Sequence, residues 1–310
     1  QGIPAVQSSQ AVLKVAALNV EQNRLTNAIQ RLRSFIAQYQ QGPDLGLVRL
    51  TLGELHLKHF HALADKVPRT ALLTNWVAVT NTLQEAQTNF TFIIDTLTNS
   101  PSLGKAYLDR GWALWEEARL ANAPGKFAEA QRAFQNATER LEPSLDHALA
   151  WFKMADCQFE QRDFPKAIKS YQTLVDRYGP GTPVKFDLLD RTLYQIVRAN
   201  IEAEDFGGAR KGLERLLADF PKSDLSDDCQ FVFSQALLNH GKPREAREAA
   251  LDFQKRFPES PLRPDAELVL ARSYVRETNW AAATGELDGW VVRHSNHVAR
   301  AQAEFDRAHV

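Results

Sequence analysis

The chain has 310 residues, 44% hydrophobic and 24% charged, with 37 Lys plus Arg against 38 Asp plus Glu and a net charge of -1. That apolar share excludes wholesale disorder, and the length suits two ordinary domains or one extended repeat array. The balanced charge excludes the bulk electrostatic footprint of a nucleic-acid or anionic-membrane binder, and no run approaches the roughly 18 apolar residues that a membrane-inserted helix needs.

Glycine (15) and proline (14) are sparse, strand-like alternation is hard to find, and apolar residues recur at helical spacing. The predicted state is therefore all-α, helix broken by short Pro, Gly, Asp or Ser turns. The chain begins at Gln1 and holds a single Met, Met154, which suggests a removed signal peptide or a piece of a longer protein. In chain order, a first helical unit is expected over 8–44 and a second over 45–101, with helices near 46–66 and 72–98 joined by LADKVPRT (63–70). A third covers 102–143, with an insertion at RLANAPGK (119–126). Units over 144–180, 186–221, 222–258 and 259–295 follow, with GPGTP (179–183) as the most loop-like stretch. Residues 296–310 read as a capping helix or as the start of another unit, through Ala303, Phe305 and Ala308.

Self-similarity is the strongest pattern. AIQRLRSFIAQY (28–39) parallels AIKSYQTLVDRY (167–178), and ARKGLERLLADFPKS (209–223) parallels AREAALDFQKRFPES (246–260). The leading alanines are Ala28, Ala86, Ala130, Ala167, Ala209, Ala246 and Ala283, at steps of 58, 44, 37, 42, 37 and 37. A second series of mostly small residues lies upstream: Ala16, Gly53, Gly111, Ala155, Val197, Ser234 and Ala271. In five of the seven units it precedes the leading alanine by 12 residues. Antiparallel helices pack closely only where small side chains face each other, and this offset puts one on each helix of a hairpin.

The chain at this point resembles the tetratricopeptide repeat (TPR) family. Trp151, Met154 and Ala155 with Ala167, Tyr171 and Leu174 match its motif. So do Tyr107, Gly111 and Leu114, and Leu270, Ala271 and Tyr274; Gly241 fits the turn, and Pro221 and Pro258 fit the closing proline. The likeness covers about residues 8 to 295 and implies a right-handed superhelical solenoid of about seven helix-turn-helix repeats forming one array over 1–310. The recurring step of 37, with long linkers such as DFPKSDLSDD, is similar to bacterial cell-envelope TPR proteins of the BamD and CpoB kind. That likeness implies a periplasmic or envelope location, with a cytoplasmic scaffold as the alternative. The lipobox cysteine of such lipoproteins is absent.

Catalytic motifs are missing: no GxSxG, HExxH, GxxxxGK[ST] or GxGxxG occurs, so no enzymatic activity and no cofactor are expected. Cys157 and Cys229 fall in different units and read as buried small hydrophobes, not a disulfide. HLKHFH places His56 and His59 on one helical face with Glu54 nearby, but Glu54 and His56 point apart and no third metal ligand is evident. A packing role is expected for His56, and metal binding or catalysis there is the third functional reading. His294 and His297 read as a solvated junction, and the sequons at 89–91 and 136–138 lie inside predicted helices.

The family resemblance implies that the first helix of each pair lines a groove through four positions. Carried over, these include Lys105, Trp112 and Trp115 in the third unit and Phe152, Asp156 and Phe159 in the fourth. Arg191, Tyr194 and Arg198 follow in the fifth, Phe231 and Gln235 in the sixth, and Arg272 in the seventh. The Lys and Asn pair that grips acidic C-terminal tails is missing, and aromatics accumulate instead. The expected function is a non-enzymatic scaffold that binds a protein or peptide segment in this groove, with no nucleic acid and no membrane insertion; the oligomeric state is left open. A structural spacer in a larger envelope assembly, using edges and convex face, is the alternative.

Overall fold

A computed structural model describes residues 5–42, 44–67, 73–121, 123–179 and 186–310. Among these residues there are fifteen α-helices and no strand. The helices are α1 (Ala5–Glu21), α2 (Leu25–Gln38), α3 (Leu45–Ala64), α4 (Leu73–Thr96), α5 (Leu103–Ala121), α6 (Pro124–Arg140), α7 (Leu145–Glu160) and α8 (Phe164–Arg177). They continue as α9 (Phe186–Glu202), α10 (Phe206–Asp219), α11 (Ser226–Asn239), α12 (Pro243–Arg256), α13 (Arg263–Arg276), α14 (Trp280–Arg293) and α15 (Arg300–Ala308). The chain divides into two compact units, residues 1–170 and 171–310, the division falling inside α8. Of the loop stretch expected at 63–70, residues 63 and 64 still belong to α3, 65–67 form a turn and 68–70 lie outside the described residues; of 179–183, all but Gly179 lie outside them.

Local chemistry sets the hairpins. In five turns the second residue after the first helix adopts a left-handed conformation: Asn23, Arg162, Glu204, Gly241 and Thr278, all with φ between 57° and 70°. The next amide then reaches back five residues, as in Asp205 N to Asn200 O at 2.8 Å and Lys242 N to Leu237 O at 2.9 Å. This closes the helix end by satisfying its last carbonyls. The residue after the turn starts the next helix: Asp205 Oδ1 accepts from the Gly208 amide at 2.9 Å, and Asn279 Oδ1 from the Ala282 amide at 3.3 Å. Pro124 and Pro243 instead open α6 and α12, where their missing N–H costs nothing.

Packing follows the two small-residue series. Each of the seven leading alanines is fully buried, and so are the upstream positions from Ala16 to Ala271. A Cβ on Gly53 would stand 2.4 Å from the Phe90 ring, and one on Gly111 would stand 2.7 Å from Phe134. The glycines thus let two buried rings lie flat on the facing backbone. Where the upstream position carries Val197, the partner helix supplies Gly212, whose Cβ would be 3.1 Å from a Val197 methyl. Space at the crossing is conserved by moving the missing side chain from one helix to the other.

Within the first unit consecutive helices pack on one another, and α1, α3, α5 and α7 also touch in series; within the second, α9, α11 and α13 do the same. Serines in the closing turns fasten consecutive first helices. Ser223 Oγ donates to Asp190 at 2.7 Å while accepting from the Leu225 amide, and Ser260 Oγ repeats both bonds with Asp227 at 2.6 Å and the Leu262 amide. Cys157 and Cys229 are free and buried, and burial pushes both thiols well above their ordinary range. They behave as small hydrophobes. The sequon asparagines bond back along their own helices, Asn89 to Glu85 O and Asn136 to Arg132 O.

Candidate interaction surface

The twelve expected groove residues all lie on first helices, α5, α7, α9, α11 and α13, and each unit carries its own set. In the first unit, Trp112 and Trp115 on α5 lie beside Phe152 and Asp156 on α7. Trp112 meets Phe134 edge-on at 6.1 Å and stays partly exposed; Trp115 meets Phe127 at 5.0 Å and is buried. Lys153 joins them: its ammonium sits 4.2 Å from the Trp115 ring centre, 4.7 Å from Trp112 and 5.8 Å from Phe152, and pairs with Asp156 at 2.8 Å. A cation held over two indole faces and neutralised by a carboxylate makes a compact, partly desolvated ledge. Phe159 turns toward Phe164, at 5.4 Å, at the end of α7.

Lys105 lies at the start of α5, among carboxylates. Its ammonium is 3.1 Å from Asp109 and 3.5 Å from Asp146, with Glu54 of α3 also in electrostatic reach. Burial raises the Glu54 carboxyl above its usual range and pushes Asp109 up to about 7, with Lys105 opposing and Glu54 reinforcing the rise at Asp109. Burial works against the Lys105 charge, yet Asp109 and Asp146 hold its ammonium above the ordinary lysine value. Lys105 therefore faces inward to three acidic neighbours.

In the second unit, the Tyr194 hydroxyl on α9 donates to Asp228 on α11 at 2.5 Å, and burial with that bond pushes the phenol up. Phe231 packs edge-on against Phe253 at 6.5 Å. Arg198 bonds Gln195 at 3.1 Å, Arg191 is exposed, and Gln235 is partly exposed on α11. Arg272 on α13 is drawn to Asp306 of α15 at 2.7 Å. The second unit thus offers a rim of arginines and amides around a tyrosine, whereas the first offers aromatics under a lysine.

Sequence reasoning missed Lys153, Asp109, Glu54 and Asp146 as members of these clusters. The spacing of Lys105 and Asp109, four apart on one helix, was the available sign for one pair. Glu54 and Asp146 come from neighbouring hairpins, and no local spacing reveals them. His56 and His59 lie on α3 and face α2 and α4, whereas Glu54 of the same helix faces Lys105. Among the described residues no three His, Cys, Asp or Glu side chains gather as a metal site, and no helix is long and apolar enough to cross a membrane.

Two-helix hairpins stacked through small residues, with side-chain clusters spread along the first helices, define an α-helical repeat protein. A tetratricopeptide repeat family model matches residues 116–182 and 231–298, and a second tetratricopeptide repeat model matches 191–223. Among solved structures, the C-terminal part of a TPR repeat-containing protein from Cytophaga hutchinsonii aligns with a TM-score of 0.59 at 12% identity, covering 94% of this chain and 98% of that one. A tetratricopeptide repeat protein from Parabacteroides merdae aligns with a TM-score of 0.54 at 11% identity, covering 97% and 99%. No curated protein matches the sequence. The chain is a tetratricopeptide repeat protein, built from modules that mediate protein–protein interactions and that typically serve as non-enzymatic scaffolds.

Proposed function

We propose that the chain is a non-enzymatic scaffold that binds a segment of a partner protein on the face of its first helices. The observation that carries this reading is the Trp112, Trp115, Phe152 and Lys153 ledge. Large aromatic anchors, tryptophan above all, dominate interface energetics, and Trp112 and Phe152 keep part of their surface accessible. The occupant that suits it is an extended or helical segment whose apolar side chain lies on the accessible edges of Trp112 and Phe152 beside the Lys153–Asp156 pair. In the second unit, exposed Arg191 favours an acidic segment. The 37-residue step of the later repeats supports a place in the cell-envelope subclass of TPR proteins, in the periplasm, as part of a larger envelope protein or complex.

The test is site-specific photocrosslinking in the native cell, with a photoreactive residue at Phe152 and a control at exposed Leu251. A defined adduct at Phe152 that is lost on Trp112→Ala, with the melting temperature kept, supports the reading. Adducts only at Leu251, or none at Phe152, defeat it. One observation favours the spacer reading as a second: Val292, Val298 and Phe305 around α14 and α15 are 80%, 94% and 57% exposed. All three lie within residues 292–305, where an assembly contact at an edge would cover them together, and crosslinks confined to Val298 would select it.

A further inference from the structure

A cleft of about 730 Å³ opens between α2 and α4 with α3 at its base. It lies in the first unit and involves none of the aromatic ledge. Nine of its eleven lining residues carry a polar group, on a surface otherwise about equally apolar. His56 forms part of the lining and is only 3% exposed, and neither of its ring nitrogens has a hydrogen-bond partner among the described residues. Buried polar atoms in native proteins are nearly always paired, so an imidazole with both nitrogens open beside a cleft is available to a partner that enters the cleft. Burial first, and then Arg33, pushes His56 down to about 4, so the ring is neutral at neutral pH and offers one donor and one acceptor.

The surroundings specify the ligand. Gln30 from α2 and Asn81 from α4 bring carboxamides from both sides, and His59 adds a second imidazole one turn from the first. Arg33 and Glu85 join α2 to α4 by an ion pair at 3.1 Å, each about half exposed. An exposed pair of this kind is worth little, so a ligand opens it at low cost and then meets one cation and one anion. A neutral imidazole and two carboxamides, each both donor and acceptor, complement a group of the same double character, namely the peptide amide. A pure anion would find Glu85 opposing it, and a pure cation would find Arg33.

We infer that this cleft is a second binding site, which takes an extended peptide segment by its main-chain amides, with His56 at its base and the Arg33–Glu85 pair as its rim. The site is independent of the aromatic ledge and does not rest on the reading given for it. Peptides are selected from short random sequences displayed on phage against the full chain, resynthesised with acetylated and amidated ends, and measured by fluorescence anisotropy. The expected result is a class of peptides that lose about tenfold in affinity with His56→Leu and several-fold with Arg33→Ala, yet change less than twofold with Trp112→Ala. In the same titrations the His56 ring C–H resonance of the unmodified chain shifts. His56→Leu removes two orphaned polar atoms and is checked by its melting temperature; Arg33→Ala, at a half-exposed position, serves should the first variant alter packing. Failure to select any peptide, or insensitivity of every selected peptide to both His56→Leu and Arg33→Ala, overturns the site. Peptides sensitive only to Trp112→Ala overturn it while leaving the aromatic ledge as a docking surface.

Discussion

The left-handed turn residues Asn23, Arg162, Glu204 and Thr278 carry side chains where Gly241 does not. Only glycine enters this region without a steric cost, and a β-branched residue suffers most. Thr278→Gly is therefore expected to stabilise the second unit by about 0.5–1 kcal/mol, and Gly241→Ala to destabilise it by about 1 kcal/mol, in denaturant melts. A Thr278→Gly variant that melts earlier would mean that glycine's extra freedom in the unfolded chain outweighs the relief. Two buried ionisable groups give opposite pH effects. His56 is depressed from 6.5 to about 4, so between those values the unfolded chain takes a proton that the fold refuses, and stability falls as pH is lowered. Asp109 is raised from 3.8 to about 7, so over that range the fold keeps a proton that the unfolded chain releases, and stability falls as pH rises. The two slopes oppose each other in the wild type. Denaturation midpoints measured from pH 4 to 7 should slope downward with pH in His56→Leu and upward in Asp109→Asn. Flat profiles in both variants would contradict these assignments.

At the level of the helix, Gly111 decides how closely α5 approaches α6. Alanine is the better helix former by about 1 kcal/mol, but its Cβ would lie 2.7 Å from the ring of Phe134, which is itself fully buried and has nowhere to go. Overpacking costs about 1–3 kcal/mol and wins, so Gly111→Ala is expected to lower stability by a net 1 kcal/mol or so, whereas Gly125→Ala, with nothing within 4 Å, is expected not to lower it. Equal melting of the two variants would show that α5 and α6 separate freely. This crossing is legible in the sequence, because a glycine at the upstream position meets an aromatic four residues after a leading alanine in two units, Gly53 with Phe90 and Gly111 with Phe134. The αL turns were only partly so: Gly241 announces its turn, but Arg162, Glu204 and Thr278 are held in place by the cap and the back-bond of their neighbours. The clusters on the first helices were the least legible. Trp112, Trp115 and Phe152 were found through the family pattern, yet Lys153 over the two indoles and Glu54 beside Asp109 depend on which hairpins abut, which no spacing within a helix encodes.

Across the whole chain, stability in repeats of this kind is a sum of hairpin terms and nearest-neighbour interfaces, so a local defect is felt mainly by adjacent hairpins. Gly111 and its partner Phe134 share one buried cluster with Leu108, Leu114, Ala150, Met154 and Cys157, all in the first unit. The second unit has a cluster of its own around Leu268, Leu287, Trp290 and Ala303, clamped by Glu267, which accepts from Arg293 and from His294 at 2.9 Å each. Amide hydrogen exchange in Gly111→Ala is therefore expected to speed up in α5, α6 and α7 and to stay at wild-type rates in α13 and α14. The converse variant, Trp290→Phe, deletes the indole bond to Pro264 O at 2.7 Å and should accelerate exchange in α13, α14 and α15 alone. Such a deletion removes one hydrogen bond onto a carbonyl that keeps its helical donor, a loss of about 0.5–1.5 kcal/mol plus the packing of part of a buried ring, enough to read in exchange rates. If either variant accelerates exchange evenly from α1 to α15, the chain unfolds as one cooperative body, and the nearest-neighbour account of its repeats fails.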